Sequence, residues 1–150
     1  MNLHYFVLIV FIVYMLYKGI KAFKAKKQVG AVFLKGSSNY KSIQTMIFSI
    51  LVVPFVILLD WNLKYLILIV IVFLGVMIEQ VYVGELGIKL NDEFFAKERI
   101  MHGYMVEDRL DQFEIMIIGR TDTIKVTVSK SLIGKPVEEI LEAYLNPIKV

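Results

Sequence analysis

The chain has no cysteine among its 150 residues, which excludes disulfides, thiolate metal sites and cysteine nucleophiles together. Its only histidines are His4 and His102. The topology derived below puts a bilayer between them, so they predict no shared metal site. No Gly-x-Ser-x-Gly elbow, His-Glu-x-x-His pair or dinucleotide fingerprint occurs. Ser37-Ser38-Asn39 beside Gly36 lacks the Gly-x-x-x-x-Gly-Lys frame of a phosphate-cradling loop. Acidic residues are missing from residues 18–42, which hold seven lysines. Charge is missing from the middle of every long apolar run, which argues against a proton relay or ion pathway. Helices without a polar midline also make a poor transporter. These absences predict a chain that is not an enzyme and needs no cofactor.

What is abundant is apolar surface. The hydrophobic fraction is 57%, against roughly 45–50% for a soluble domain. Almost all of the surplus precedes residue 84. A first run, Leu3 to Tyr17, extends through Phe23 if Lys18, Lys21 and Lys24 snorkel toward headgroups. The competing reading is a cleaved signal peptide, which wants a basic start and a small-residue cleavage site. Neither is present near Met1-Asn2-Leu3-His4-Tyr5, so a retained helix over 3–23 is expected. A second run covers 43–59 with Pro54 inside it, where a kink is expected. A third covers 61–79, opening on Trp61 and Tyr65, which suit a membrane interface. Asp60 to Lys64 forms the turn between them, and Glu79 and Gln80 end the third run.

The lysines orient these spans. Lys18, Lys21, Lys24, Lys26, Lys27, Lys35 and Lys41 fall between the first and second runs, and lysine-rich short segments stay cytoplasmic. The expected topology is a multi-pass cell-membrane protein with its N-terminus outside and its C-terminus in the cytoplasm. The membrane part is then 1–83, with a lysine-rich cytoplasmic loop at 24–42, and the soluble part is 84–150. The same seven lysines are the candidate contacts for anionic lipid headgroups, each worth about 1 kcal/mol near an anionic leaflet. Their alternative role is to set topology alone.

The segment 84–150 holds nine Lys/Arg against twelve Asp/Glu, a net of −3, which is a poor footprint for nucleic acid. Gly87 to Leu90, the turn Asn91-Asp92 and Glu93 to Phe95 predict a hairpin. Residues 100–108 are expected to be a strand and Leu110 to Gln112 a turn. Phe113 to Ile118 and the alternating Thr123 to Ser129 predict two more strands around a Gly119–Asp122 turn. Glu107, Asp108 and Asp111 around Arg109 could bind a cation, although a solvated turn explains them as well. Pro136 opens a final helix whose Val137, Ile140, Leu141, Tyr144 and Leu145 share one face.

The succession of a short first helix, Lys26-Lys27-Gln28-Val29-Gly30, a helical hairpin, the Gly87-Ile88 strand, the Asn91-Asp92 turn and the closing Glu138-to-Leu145 helix resembles a family of small uncharacterised membrane proteins of Gram-positive bacteria. Their cytoplasmic tails are similar to bacterial pleckstrin-homology-like domains. The resemblance implies three transmembrane helices plus a small cytoplasmic α+β domain, an antiparallel sheet with a C-terminal helix. It implies no activity. Residues and resemblance together point to a membrane-anchored interaction module, bound to the bilayer and to a protein partner in membrane or cytoplasm. The alternative is an accessory or immunity-type subunit docked on a larger membrane complex. Gly75 and Ser49 are small residues that would permit close helix approach.

Overall fold

The computed structural model describes residues 3–40, 50, 53–54, 56–57, 64–106 and 109–145. Helix α1 spans Leu3–Gln28, α2 Lys64–Glu79 and α3 Val137–Leu145. Seven strands form one curled antiparallel sheet: β1 Val32–Ser38, β2 Val81–Gly84, β3 Gly87–Leu90, β4 Glu93–Ala96, β5 Ile100–Val106, β6 Arg109–Ile117 and β7 Ile124–Ser131. Their spatial order is β4-β3-β2-β1-β7-β6-β5. Two meanders, β2 to β4 and β5 to β7, are thus joined through β1 at the centre.

The central position of β1 corrects two expectations. Residues 24–28 continue α1, and residues 32–38 are the strand that holds both halves of the sheet together, so the described part of the expected 24–42 loop is mostly helix and strand, while 41–42 lie outside the described residues. The sheet also reaches back to Val81, and it is assembled from both sides of the segment that contains α2. Val32-Phe33-Leu34 supply strand-forming bulk. Two irregularities, at Val32/Leu34 and Lys35/Gly36, bend β1 between its neighbours.

Period-two alternation sorts the strands' side chains onto two faces. Leu34, Val81, Val83, Ile88, Leu90, Phe95, Phe113, Ile115, Ile117, Ile124, Val126 and Val128 turn inward and are buried. Helix α3 lays Ile140, Leu141 and Tyr144 against the same core, with Val137 beside them. Its first turn carries Glu138 and Glu139, where the helix dipole favours an acid.

The expected hairpin is present, with Leu90 opposite Glu93 and Gly87 opposite Ala96. Its turn works without glycine because Asn91 adopts a positive φ of 54°, which Asn tolerates better than most residues. The Asn91 amide also donates to the Tyr40 carbonyl at 2.7 Å, a bond that glycine could not make. The expected strand over 100–108 is β5, and the expected turn at 110–112 is instead inside β6, which begins at Arg109.

The helical region is simpler than expected. Among the described residues one helix, α1, is long and apolar enough to cross a membrane, in its Tyr5–Gln28 stretch, not three. The third expected run is helical over Lys64–Glu79, 16 residues. Most of the second lies outside the described residues, as do Trp61, Asp60 and Ser49; Ile50, Val53, Pro54, Val56 and Ile57 are helical. Leu8, Phe11, Met15 and Ala22 of α1 pack with Val56, Ile71 and Ile78 in a second core. The close approach of α1 and α2 falls at Gly19, where an added Cβ would lie 2.9 Å from a Leu74 methyl. At Gly75 no atom of the described residues lies within 4 Å of an added Cβ.

At Gly36 an added Cβ would sit 2.1 Å from the Thr127 carbonyl oxygen, backbone that cannot swing aside. Gly36→Ala should therefore push β1 away from β7 and cost about 1–3 kcal/mol. Thermal unfolding of the full chain followed by circular dichroism should show a lowered midpoint; an unchanged midpoint would refute this account of the β1–β7 contact.

Candidate functional site

The outer face of β2 and β3 carries the residues that alternation turns away from the core, Tyr82 and Lys89. The C-terminal part of α1 lies over this face, and α2 ends beside it. At this junction the lysines gather.

Lys89 is buried, with 1% of its surface exposed. Its ammonium donates to three carbonyls at the end of α2: Met77 at 3.3 Å, Ile78 at 3.0 Å and Gln80 at 2.7 Å. A helix leaves its last carbonyls without intrahelical partners, and α2 has no basic residue in its own last turn. The cation from β3 therefore caps α2 and answers the negative end of its dipole. Burial pushes the Lys89 pKa down to about 8; nearby Lys26 adds to the fall and Asp92 resists it.

Asp92, at the β3–β4 turn, is also buried. Lys18 donates to its Oδ1 at 2.8 Å, and the Lys21 ammonium lies 3.3 Å from Oδ2. Burial raises the carboxyl's pKa, but the hydrogen bonds and charges of Lys18 and Lys21 outweigh it and hold the group below its ordinary value. A basic helix is thereby clamped to the acidic tail by two charge-assisted contacts.

Lys26 stands 4.6 Å from the centre of the Tyr82 ring, a cation–π distance, and has no ion pair among the described residues. The Tyr82 hydroxyl donates to Gln80 Oε1, which leaves the Gln80 amide nitrogen as a donor. Lys27 lies over Phe23 at 4.9 Å, and Lys24 is exposed on α1. Lys35 is half-buried on β1, in register with Tyr82 and Lys130. Lys41 lies outside the described residues. The structure thus brings Lys18, Lys21 and Lys26 to one junction. It adds four residues that sequence reasoning missed: Gln80, Tyr82, Lys89 and Asp92. The only trace of the buried cation in the sequence is a lysine between Ile88 and Leu90, where alternation puts it opposite the core.

A second polar cluster joins distant segments. The Tyr40 hydroxyl donates to Glu93 Oε2 at 2.9 Å, and Arg120 donates to the Tyr40 hydroxyl while its guanidinium stacks 4.6 Å from that ring. This ties the end of β1, the start of β4 and the β6–β7 turn. It is a structural tie, with every charge matched. His102 is exposed on β5. Glu107 and Asp108 lie outside the described residues, and no group of three metal-ligating side chains occurs among the described ones.

Asp92→Asn should lower stability by about 1–3 kcal/mol, since two lysines then face a neutral amide. The wild type should lose the same increment with acid. A depressed folded pKa gives stability that is complete above the unfolded carboxyl value of about 3.9 and is lost as pH falls through the lower folded value. Thermal midpoints of the two proteins between pH 7 and 2 should therefore converge below about pH 4, whereas parallel curves over that range would refute the clamp.

No family model, no curated protein and no solved structure matches this chain.

Proposed function

We propose that the chain is a non-enzymatic, membrane-anchored interaction module. Helix α1 crosses the bilayer with α2 packed beside it, and a pleckstrin-homology-like sheet domain stands on the cytoplasmic side. The observation that carries this reading is the division of α1 into two halves. Its 26 residues extend about 39 Å, against about 30 Å for the hydrocarbon core. The first half is apolar on its outward faces as well as its packed one: Phe6, Ile9, Val10, Val13 and Leu16 are exposed. A helix that is apolar all round belongs in a lipid environment. Lysines begin at Lys18, and there the helix meets Asp92 of the sheet.

Helix α2 supports the same reading. Leu66, Ile69, Val72, Phe73 and Val76 are exposed apolar side chains. Both helices lead into the sheet at their lysine-rich or lysine-capped ends, so the sheet lies on the side that the lysine bias assigns to the cytoplasm. The curled antiparallel sheet with an amphipathic C-terminal helix supports the pleckstrin-homology-like assignment. Lys24, Lys26 and Lys27 remain available to headgroups on α1, while Lys18 and Lys21 are engaged by Asp92.

The alternative, an accessory or immunity-type subunit docked on a larger membrane complex, draws on Gly75. It leaves an open notch among exposed apolar residues of α2, where a partner helix could approach closely.

A reporter fused after Val150 should be active only in the cytoplasm, and an external signal would overturn the orientation. Full-length protein solubilised in mild detergent should co-purify with a partner identifiable by mass spectrometry. Recovery as a lone monomer would count against both partner readings.

A further inference from the structure

A cleft of about 240 Å³ opens where α1, the end of α2 and the outer face of β2–β3 meet. Lys26, Lys89, Tyr82 and Gln80 form its polar end, and Phe73 and Met77 line its apolar part. No acidic side chain lines it. A second, apolar cleft lies between the same two helices, bordered by Ile12, Leu16, Leu66 and Val70.

Helical spacing joins the two. On α1, Ile12, Leu16, Gly19, Phe23 and Lys26 follow one another at intervals of three and four residues, so they share a face. Leu66, Val70, Phe73, Met77 and Gln80 do the same along and just beyond α2. The two clefts therefore lie in line along one side of the α1–α2 seam, an interrupted groove about 15 Å long from Leu16 to Lys26. It is apolar toward the N-terminal half of α1 and cationic where the sheet begins. Gly19 sits between the two stretches and keeps the helices close.

The cationic end is unbalanced. Asp92, the acid that acts on Lys89, is paired with Lys18 and Lys21. Lys89 spends its donors on the end of α2 and contributes charge without a free N–H. Lys26 and the Gln80 amide nitrogen keep donors for a ligand. Burial is the main cause that lowers the Lys89 pKa; Asp92 raises it, and Lys26 lowers it by a smaller amount.

We infer that this groove binds one anionic glycerophospholipid of the bilayer, its phosphate at Lys26 and Gln80 beside the Lys89 charge and an acyl chain along Leu16, Leu66 and Val70. The inference rests on the membrane reading above and deepens it, because it turns a general lysine–headgroup attraction into a single built site.

The full chain, purified in mild detergent with equal phosphatidylglycerol and phosphatidylcholine, should retain one phosphatidylglycerol by native mass spectrometry. Lys26→Gln should cut that retention about fivefold. Lys130→Gln, which removes an exposed lysine of β7 outside the cleft, should leave it unchanged. Val70→Trp should fill the apolar stretch and release lipid while leaving Lys26 in place. Equal retention of the two lipids, or equal losses in the two lysine variants, would overturn the site. Displacement of phosphatidylglycerol by millimolar inorganic phosphate, with Val70→Trp without effect, would overturn the lipid in favour of a free anion. Resistance to alkaline carbonate extraction separates the two levels of failure: protein that is extracted sinks the membrane reading, while embedded protein without lipid preference sinks only this inference.

Discussion

A helix that ends against a sheet leaves carbonyls facing apolar walls, and an unmet buried carbonyl costs as much as a lost hydrogen bond. At the end of α2 the ammonium of Lys89 meets three of them. The bond set fixes the place where the chain leaves the helical region and enters β2, since Gln80 is both the last of these acceptors and the residue before Val81. It also fixes β3 beneath α2, because Ile88 and Leu90 can face the core only while Lys89 faces the helix. The adjoining turn then brings Asp92 under Lys18 and Lys21. The attachment of helices to sheet follows from one buried cation and one buried anion at positions three residues apart.

That attachment is polar where most packing in the chain is apolar, and the chemistry explains why. Helix α1 must be apolar along its outward faces, so its shape alone gives little reason to stop sliding along the sheet. Lys18 and Lys21 supply a register. A buried ion pair is weak evidence for stability, because desolvation consumes much of its attraction, but it is specific about position. Asp92 at a tight turn cannot follow a helix that shifts by one residue.

Local chemistry was legible in the sequence. The β3–β4 hairpin, the alternation of β7 and the amphipathic face of α3 all announce themselves within ten residues, and each is present. The centre of the sheet was not legible. Lys35, Gly36, Ser37 and Ser38 break any alternation in β1, and its partners are Val83 and Ser131, far along the chain. A strand stabilised by distant neighbours leaves no local signature. The turn misplaced to Leu110–Gln112 has a similar cause: Asp111 suggests a loop, yet β6 holds that position because pairing with β5 extends back to Arg109. Of the junction, the seven lysines and the net acidity of residues 84–150 were legible, but not that a helix carries most of those lysines. Lys89 and Tyr82 were not, because their importance lies in what α1 and α2 place above them.

The same long-range pairing couples the two halves of the molecule. Leu34 pairs with Val83, and between them lies the helical segment that contains α2. The central strand therefore cannot acquire its β2 neighbour until that segment has gone out and returned, and the entropy of closing so long a loop is recovered only then. Until then β1 carries an unpaired edge, the kind of edge that invites wrong partners. Lys89 closes this circuit from the other end, since its carbonyl ligands exist only once α2 has formed its last turn. On the proposed topology, placing the helices in the bilayer and completing the sheet are one event, and the cation-lined groove that opens between them is a product of it. A folded sheet domain then certifies that its own membrane anchor is correctly set, because neither half can satisfy its buried polar groups without the other.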